Sequence, residues 1–517
     1  MERAEIADLD TAGAIVLAGP DLKEELPVLY LRVRRAAEDL GVPLIDLSSR
    51  DNGLTRYADV VVRHAPGALG TTAEELVAAV AAAPSDGPSD GPLGEAATLL
   101  RDAEAPAVVV LGRPSLSEST EPAELAAAAF TQLDGTRFLS ALRRGNVHGA
   151  LELGLAPGFL PGRVTAEDGK AWFDAAWGST PAEPGLDAES ILRAAVDGRV
   201  RCVILLGADV LADFPDGQLA RDALAAVDWT VAVDAFESDS TRHADVFLPT
   251  PLWGEKEGTT TNLEGRVQRL GRKVTPPGVV MDDWRIAVEL ALRLGSDFDM
   301  LDTDEVRDEI SAVASAFRGA DAALLAMARD GIVLPARDHL DDVVLGPGRP
   351  AAASWEPLPS GSDAAPAPAS TEPDESAEPD ESAEPAELPE PPAVYRWDGT
   401  TARPEIPRRD SYALRLVVGR SLYDAGRATA LSGSLAALAT DTALRIHPTD
   451  ADRLGVADGD RVKATSERGV SVLEVHPDPA TPAGTAFLAW NQPGERGASE
   501  LIAAGETVTD LRVETIT

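Results

Sequence analysis

Cysteine is almost missing from this 517-residue chain, where Cys202 is the only one. No disulfide framework can form within the chain, and four of its own thiolates cannot hold an iron–sulfur cluster. Aromatic residues are also scarce, at 4%, so Ala, Gly and Pro carry much of the bulk. Positive charge is in short supply. Lys and Arg number 46 against 86 Asp and Glu, a net charge of −40. That balance excludes a general nucleic-acid or anionic-membrane surface, since both targets are polyanions; a local basic pocket stays open. No run of about 20 apolar residues exists to span a bilayer. The alanine-rich stretches 77–83 and 123–130 are too short for that and have charged neighbours. The first eleven residues are acidic and lack the positive region of a secretory signal. The default compartment is the cytoplasm. Hydrophobic residues still make up 44%, enough to build two to four domains with buried cores.

One boundary stands out. Residues 359–387 contain no Leu, Ile, Val or aromatic residue, and the hexapeptide EPDESA occurs at 372–377 and again at 378–383. Such a segment cannot bury apolar surface to offset chain entropy, and its carboxylates repel one another. It marks 346–408 as a disordered acidic linker rich in Pro, Ala and Glu. Upstream, short apolar runs stopped by turn residues alternate with helical periodicity. The runs lie at 14–18, 42–47, 59–62, 107–111, 200–206 and 230–233; helical patterns occupy 26–40, 188–196 and 217–227. This alternation predicts doubly wound α/β lobes with parallel sheets over 1–345. No GxGxxG or GxxxxGK[ST] follows any of these strands, so an ordinary NAD or ATP site has no support. Downstream, β-like runs at 415–418, 443–446, 461–465, 470–475 and 485–488, with one helical piece at 449–454, predict a small β-barrel over 409–517.

The densest chemistry lies in 203–269. Open α/β sheets bind ligands beyond the carboxyl ends of their strands. Gly207 and Asp209 follow one predicted strand; Asp234, Glu237 and Ser238 follow the next. The segment 254–266 is rich in Gly, Thr and Asn, whose backbone N–H groups and hydroxyls can hold a phosphate or a ring edge. Turn and cap chemistry explains the same residue types.

The run ADVFLPTPLWGEKEGTTTNLEGRVQ (244–268) resembles the signature of the molybdopterin oxidoreductase superfamily, in which a strand ending ADVVLP leads into E-K-x-G-T-x-x-N-x-E-x-R. LLGAD (205–209), the loop RRGNVHGALELGLAPGFLPGR (143–163) and the barrel stretch IHPTDADRLGVADGDRVKATSERG (446–469) are similar to further blocks of that family. Within it, GPDLKEELPVLYLRVRRAA (19–37) most resembles the family of the large peripheral G subunit of proton-pumping NADH:quinone oxidoreductases. The resemblance implies a cofactor-cradling fold whose barrel is of the double-psi, dinucleotide-covering type. It implies a cleft lined by Gly207, Asp209, Asp234, Thr241, Asp245, Glu257, Gly258, Thr259, Asn262 and Arg266 on the α/β side, with Arg420 and Asn491 on the barrel side. The resemblance also implies a pocket of the kind considered vestigial in many G-subunit relatives.

The departures shape the functional expectation. The family's cysteine-rich cluster segments and its usual metal-ligand Cys or Ser are missing; they would precede residue 1, in a missing N-terminal region or a partner polypeptide. We therefore expect no cofactor, no metal and no catalytic residue in this chain. It would be a G-subunit-like scaffold in the peripheral arm, cytoplasmic and peripheral at the inner face of the cell membrane. Its partners would be the other peripheral-arm subunits, with no nucleic acid and no direct membrane insertion. The alternative is an oxidoreductase, or a fragment of one, holding molybdopterin guanine dinucleotide. Cys202, inside the apolar run VRCVILL, reads as a buried, inert thiol. His148 fits either a contact with a pterin or a neighbouring cluster, or a hydrogen-bonded structural role. Glu255 and Glu257 fit either a carboxylate pair or solvated loop charges, and Arg266 and Arg269 fit either a phosphate or carboxylates. His243 and His447 lack a second His at metal-ligand spacing.

Overall fold

A computed structural model describes residues 1–82, 91–343, 345, 389–494 and 497–516. The EPDESA repeats and most of the predicted linker, 346–388, lie outside the described residues.

The first lobe is a six-stranded, all-parallel sheet. Its spatial order runs Val60–Arg63, Leu44–Ser48, Ala14–Ala18, Ala107–Leu111, Arg137–Ser140 and the short Glu2–Arg3. Ala14–Ala18 and Ala107–Leu111 match the expected strands to the residue. Continuous Val, Ile and Leu suit these strands because helices cover both faces. Val16, Ile45, Leu47 and Val109 share a core with Leu69, Ala73 and Leu76 of helix Leu69–Ala81 and Phe130 of helix Glu121–Phe130. On the other face Ile15, Leu17, Leu44 and Val110 pack with Leu29, Val33 and Ala36 of helix Pro27–Asp39. Burial of one such side chain contributes about 1.5–3 kcal/mol. The chain leaves Ala14–Ala18 in one direction along the sheet and returns on its other side at Ala107–Leu111. That reversal opens a crevice at the strand ends. Gly19 makes the turn there at φ 99°, with the Gly112 carbonyl 2.8 Å from where a Cβ would sit.

The second lobe carries a three-stranded parallel sheet, Cys202–Leu206, Trp229–Asp234 and Val246–Pro249 in that spatial order. Helices Ala188–Val196 and Gly217–Ala226 share a core of Leu192, Ala195, Leu219 and Ala220. One expectation fails here. Cys202 is exposed, because it opens an edge strand whose Ile204 and Leu206 are exposed on the same face. A hairpin, Gly258–Thr261 with Arg266–Leu270, is extended by Ile332–Val333 into a separate antiparallel sheet.

The C-terminal region is a closed six-stranded barrel: Leu414–Gly419, Thr485–Ala489, Ala443–Ile446, Val470–Pro477, Arg461–Thr465 and Asp510–Thr515, which pairs back to the first. Leu416, Val418, Leu444, Ile446, Val475, Leu488 and Trp490 fill its core. The barrel meets both lobes. Leu116 N–H donates to the Val418 carbonyl (2.9 Å), and Ser115 Oγ accepts from Val418 N–H (2.8 Å), so a first-lobe segment runs along a barrel strand. Toward the second lobe the joints are ionic, Arg468 with Asp216 (2.7 Å) and Arg221 with Glu500 (2.8 Å). Residues 389–408, expected as linker, run as a strap over the lobes. Tyr395 N–H donates to the Arg163 carbonyl (2.7 Å), the Tyr395 ring meets Phe159 edge-on, and Arg403 pairs with Glu74 (2.5 Å).

Candidate functional site

Each lobe presents its strand ends to the barrel, which creates two clefts. The larger, of about 380 Å³, lies between the second lobe and the barrel and is lined by Asp209, Ser238, Asp239, Arg427, Asn491 and Gln492 among others. Asp209 follows Cys202–Leu206, and Asp234 ends Trp229–Asp234, so both carboxylates reach the carboxyl edge of one sheet. Asp209 accepts from Ser240 Oγ (2.6 Å). Asp234 accepts from the Ala235 and Phe236 N–H groups at 2.7 and 3.3 Å, which fixes its rotamer. Arg427 enters from the barrel side. Its Nη1 lies 2.5 Å from Asp234 Oδ2, and its Nε 3.8 Å from Asp209 Oδ2. One guanidinium thus spans both strand-end carboxylates. Asn491 sits opposite at φ 50°, and its carbonyl accepts from Ala425 N–H (2.7 Å), tying the loop before Arg427 to the barrel.

The second cleft lies between the first lobe and the barrel. It holds about 30 Å³, room for no more than a water or two. Arg50 fills it, its guanidinium 3.9 Å above the Phe487 ring. Arg420 lines it as well, and its Nη1 is buried without a hydrogen-bond partner among the described residues. Arg143 crosses from the first lobe to Asp424 (3.0 Å) and the Ser421 carbonyl (3.0 Å). Burial pushes the Glu25 carboxyl up to about 7, against the pull of Arg420 and Arg143.

The remaining candidate residues lie elsewhere. Gly207, at φ 60°, turns the chain out of its strand and is exposed. Thr241 closes a turn with Ser238, its Oγ1 accepting from Ser238 N–H (2.7 Å). Asp245 accepts from Thr230 N–H (2.8 Å) at the opposite, amino end of the sheet. Glu257, Gly258, Thr259, Asn262 and Arg266 belong to the hairpin. There Asn262 Oδ1 accepts from Glu264 and Arg266 N–H, Arg266 pairs with Glu264 (2.7 Å) and Glu5 (2.8 Å), and Thr259 meets Arg307. Arg269 pairs with Asp304, so both arginines engage carboxylates of this chain. Glu255 accepts from Leu252 N–H, whereas Glu257 is exposed. The structure therefore brings Asp209, Asp234 and Asn491 together, places Arg420 in the other cleft, and sets the hairpin set against the His148 loop, where Asn146 Oδ1 accepts from Thr261 N–H (2.9 Å). His148 lies in a third cavity, of about 520 Å³, beside Arg3 and Arg163; burial, then Arg3, lowers it to about 4, so its imidazole is neutral at pH 7. Trp253 is 73% exposed and lines none of these cavities. Sequence reasoning missed Arg427, Arg50 and Phe487. A charged residue in each loop was visible, but the partner of Arg427 lies 193 residues away.

These residues bear on whether a pterin dinucleotide fits. One cleft is filled by Arg50, and the other is crossed by a guanidinium that already neutralises the carboxylates at its floor. The lone thiol supplies no metal ligand there either. Cys202 begins its strand while the cleft lies past Leu206, about 13 Å further at 3.3 Å per residue. Among the described residues no group of three His, Cys, Asp or Glu could hold a metal ion. The present geometry does not fit the full dinucleotide or its metal. The larger cleft suits a mononucleotide-sized moiety, at the small end of ligand pockets.

Comparison with known proteins gives the fold a family. The molybdopterin oxidoreductase model matches residues 3–293, and the model of the molybdopterin dinucleotide-binding domain matches 414–511. The chain is 25% identical over 495 residues to the NADPH-Fe(3+) oxidoreductase subunit alpha of Geobacter sulfurreducens, covering 89% of this chain and 51% of that one. It is 26% identical over 505 residues to the G 2 subunit of the NADH-quinone oxidoreductase of Rhizobium meliloti, covering 92% and 52%. Acetylene hydratase from Pelobacter acetylenicus superposes with a TM-score of 0.62 at 15% identity, over 99% of this chain and 79% of that one. The chain spans about half the length of the curated relatives it matches.

Proposed function

Because the chain belongs to the molybdopterin oxidoreductase family, we propose that it uses the family's cofactor-cradling architecture as a scaffold. In this reading it is a G-subunit-like component of the peripheral arm of an NADH:quinone oxidoreductase. It holds neighbouring redox subunits in place and carries no cluster of its own. The observation that supports this best is Arg427 lying across Asp234 and Asp209. An in-chain cation stands at the strand ends where the fold would otherwise meet its ligand. One cysteine, remote from that place, agrees with it. No helix among the described residues is long and apolar enough to cross a membrane. Attachment to the inner face of the cell membrane would therefore come through partner subunits.

A second reading is favoured by the matched dinucleotide-binding domain and the 380 Å³ cleft. Here the chain, or a larger protein containing it, holds a molybdopterin dinucleotide. Bound there, the pterin would supply a redox-active metal; this chain's part would be to hold its phosphate and ring edges with Ser238, Asn491 and Gln492 after Arg427 had swung away. Metal and pterin analysis of the purified full chain separates the two readings. The scaffold reading expects only traces of molybdenum or tungsten, no pterin fluorescence after acid oxidation, and co-purification with flavin- and cluster-bearing subunits. Stoichiometric metal and pterin would overturn it.

A further inference from the structure

One carboxyl is shut inside the joint between the first lobe and the barrel. Glu118 is 1% exposed. Its backbone bridges Val508 of the barrel, and the N–H of the next residue, Ser119, donates to the Thr507 carbonyl (3.1 Å). On the lobe side its Oε2 accepts from Gly67 N–H (2.9 Å). Val508 closes over that bond. A Cβ at Gly67, where φ is 86°, would stand 2.8 Å from Val508 Cγ1. Glu118 Oε1 is buried with no hydrogen-bond partner among the described residues. Two cations stand near, and neither bonds the carboxyl. Arg113 Nε donates to the backbone carbonyl of Glu118 (2.9 Å), and Arg415 Nε donates to Asp510 (2.6 Å). Two further titratable groups belong to the elements packed here. Glu121 opens helix Glu121–Phe130 with one oxygen also buried and unpaired, and His64, on the loop that carries Gly67, is held at the Ala65 carbonyl (2.9 Å).

An ionised carboxylate in this place is a buried charge with a single donor, whereas the neutral acid costs far less to keep out of water. The seal over it belongs to the barrel. The barrel and the lobe have separate apolar cores, and the contacts that join them here are polar: Leu116 N–H donates to the Val418 carbonyl (2.9 Å), Ser117 Oγ to the Leu416 carbonyl (2.7 Å) and Thr509 Oγ1 to the Ser117 carbonyl (3.3 Å). Lifting the barrel off this joint lets water reach the carboxylate while each core stays closed. We propose that Glu118 is a proton-operated latch: as the neutral acid it seats the barrel on the first lobe, and on ionising it loosens that joint while both cores stay folded. The direction follows from burial, which raises the carboxyl from 4.5 to about 7 in the closed joint. A lifted barrel returns it to its ordinary range. The latch therefore holds fully below pH 4.5, weakens as pH rises toward 7 and is level above it. The inference is independent of either reading of the function.

Amide hydrogen exchange of the full chain at pH 5 and pH 8, corrected for the intrinsic rate at each pH, tests the latch. Peptides covering 115–119 report the joint; peptides covering 107–111 and 443–446 report the two cores. The joint should exchange faster than the cores at both pH values, which marks an opening short of unfolding. Its protection should fall on the order of fiftyfold from pH 5 to pH 8, as a carboxyl moving between about 7 closed and 4.5 open requires. Glu118→Gln and Glu118→Met, which cannot ionise, should both lose this pH dependence. Unchanged protection of the joint in the native chain would overturn the proposal, as would the same loss in the variants. So would a joint that exchanges no faster than the cores, since it then opens only when the whole fold does. Where one variant fails to fold, the other variant and the native chain's own pH dependence decide.

Discussion

Two parallel sheets in this chain are written in the same kind of sequence and live in different surroundings. AIVLA at Ala14–Ala18 is buried at every position, whereas CVILL at Cys202–Leu206 alternates between exposed and buried. Ala14–Ala18 lies inside its sheet between two helical layers, whereas Cys202–Leu206 is an edge strand open at Cys202, Ile204 and Leu206. Composition sets what a strand can tolerate; the neighbouring layers set what it receives. The joints to the barrel differ in the same way. The first lobe joins mainly through hydrogen bonds of the Ser115 hydroxyl and the Leu116 N–H to the Val418 backbone, with one ion pair, Arg143 to Asp424, and the second through the ion pairs of Asp216, Arg221 and Asp234.

The largest expected difference sets one sheet against the other. Ile15→Ala, in the first, should cost about 2–5 kcal/mol in urea unfolding, as large-to-small changes in a closed core do. Ile204→Ala, in the second, should stay within about 0.5 kcal/mol in the isolated chain. Equal losses would mean that Ile204 is covered after all. The joint to the first lobe should show itself in pH. Burial pushes Glu118 up to about 7 from its usual 4.5, against Gly67 N–H and Arg113. As pH rises, the unfolded chain releases this proton near 4.5 and the folded chain only near 7. Stability therefore falls across that window and is level above it. Glu118→Gln should remove this slope and, by pH 8, exceed the native chain by up to about 3 kcal/mol, with the two alike below pH 4.5. Glu25, also raised to about 7, leaves a residual slope in the variant. Matching pH profiles for the two proteins would refute a buried, protonated Glu118.

The joint to the second lobe should respond to charge removal instead. Arg427→Ala leaves Asp234 buried without its cation and should cost about 2 kcal/mol, reduced from the value for a fully buried pair because Arg427 is partly open to solvent. Arg427→Lys should recover part of that loss, and a neutral result would show that the clasp is not formed in solution. The smallest effect concerns a helix of the second lobe. Asp187 caps Ala188–Val196 by accepting from Ser190 N–H (2.7 Å), so Asp187→Ala should cost about 1 kcal/mol in the same unfolding measurement. A larger loss would mean that this lobe depends on local structure more than on packing.

Much of the architecture was legible from short apolar runs closed by Gly or Asp, because a covered parallel strand needs little else. The strands at 14–18, 107–111, 443–446 and 461–465 stand where the sequence placed them. Asp510–Thr515 was missed because its Leu511 and Val513 alternate with polar residues over a short span. Glu2–Arg3 carries no apolar signal at all. Cys202 was misjudged for a physical reason: CVILL has the pattern of a strand covered on both sides, and no residue in it records its place at an edge. In the site, Asp209 and Asp234 were legible as strand-end carboxylates. The hairpin residues 257–266 were grouped with them by motif, yet their hydrogen bonds go to each other, to Glu5 and to Asn146. Arg427 was invisible because an ion pair across 193 residues leaves no local trace.

Because the barrel grips both lobes through hydrogen bonds and ion pairs, its attachment does not depend on the peptide bonds between 346 and 388. A proteolytic nick in that interval would yield two fragments on a denaturing gel and one unchanged particle on a sizing column. By the same reasoning, a cell could make the lobes and the barrel from separate messages and still assemble the same body.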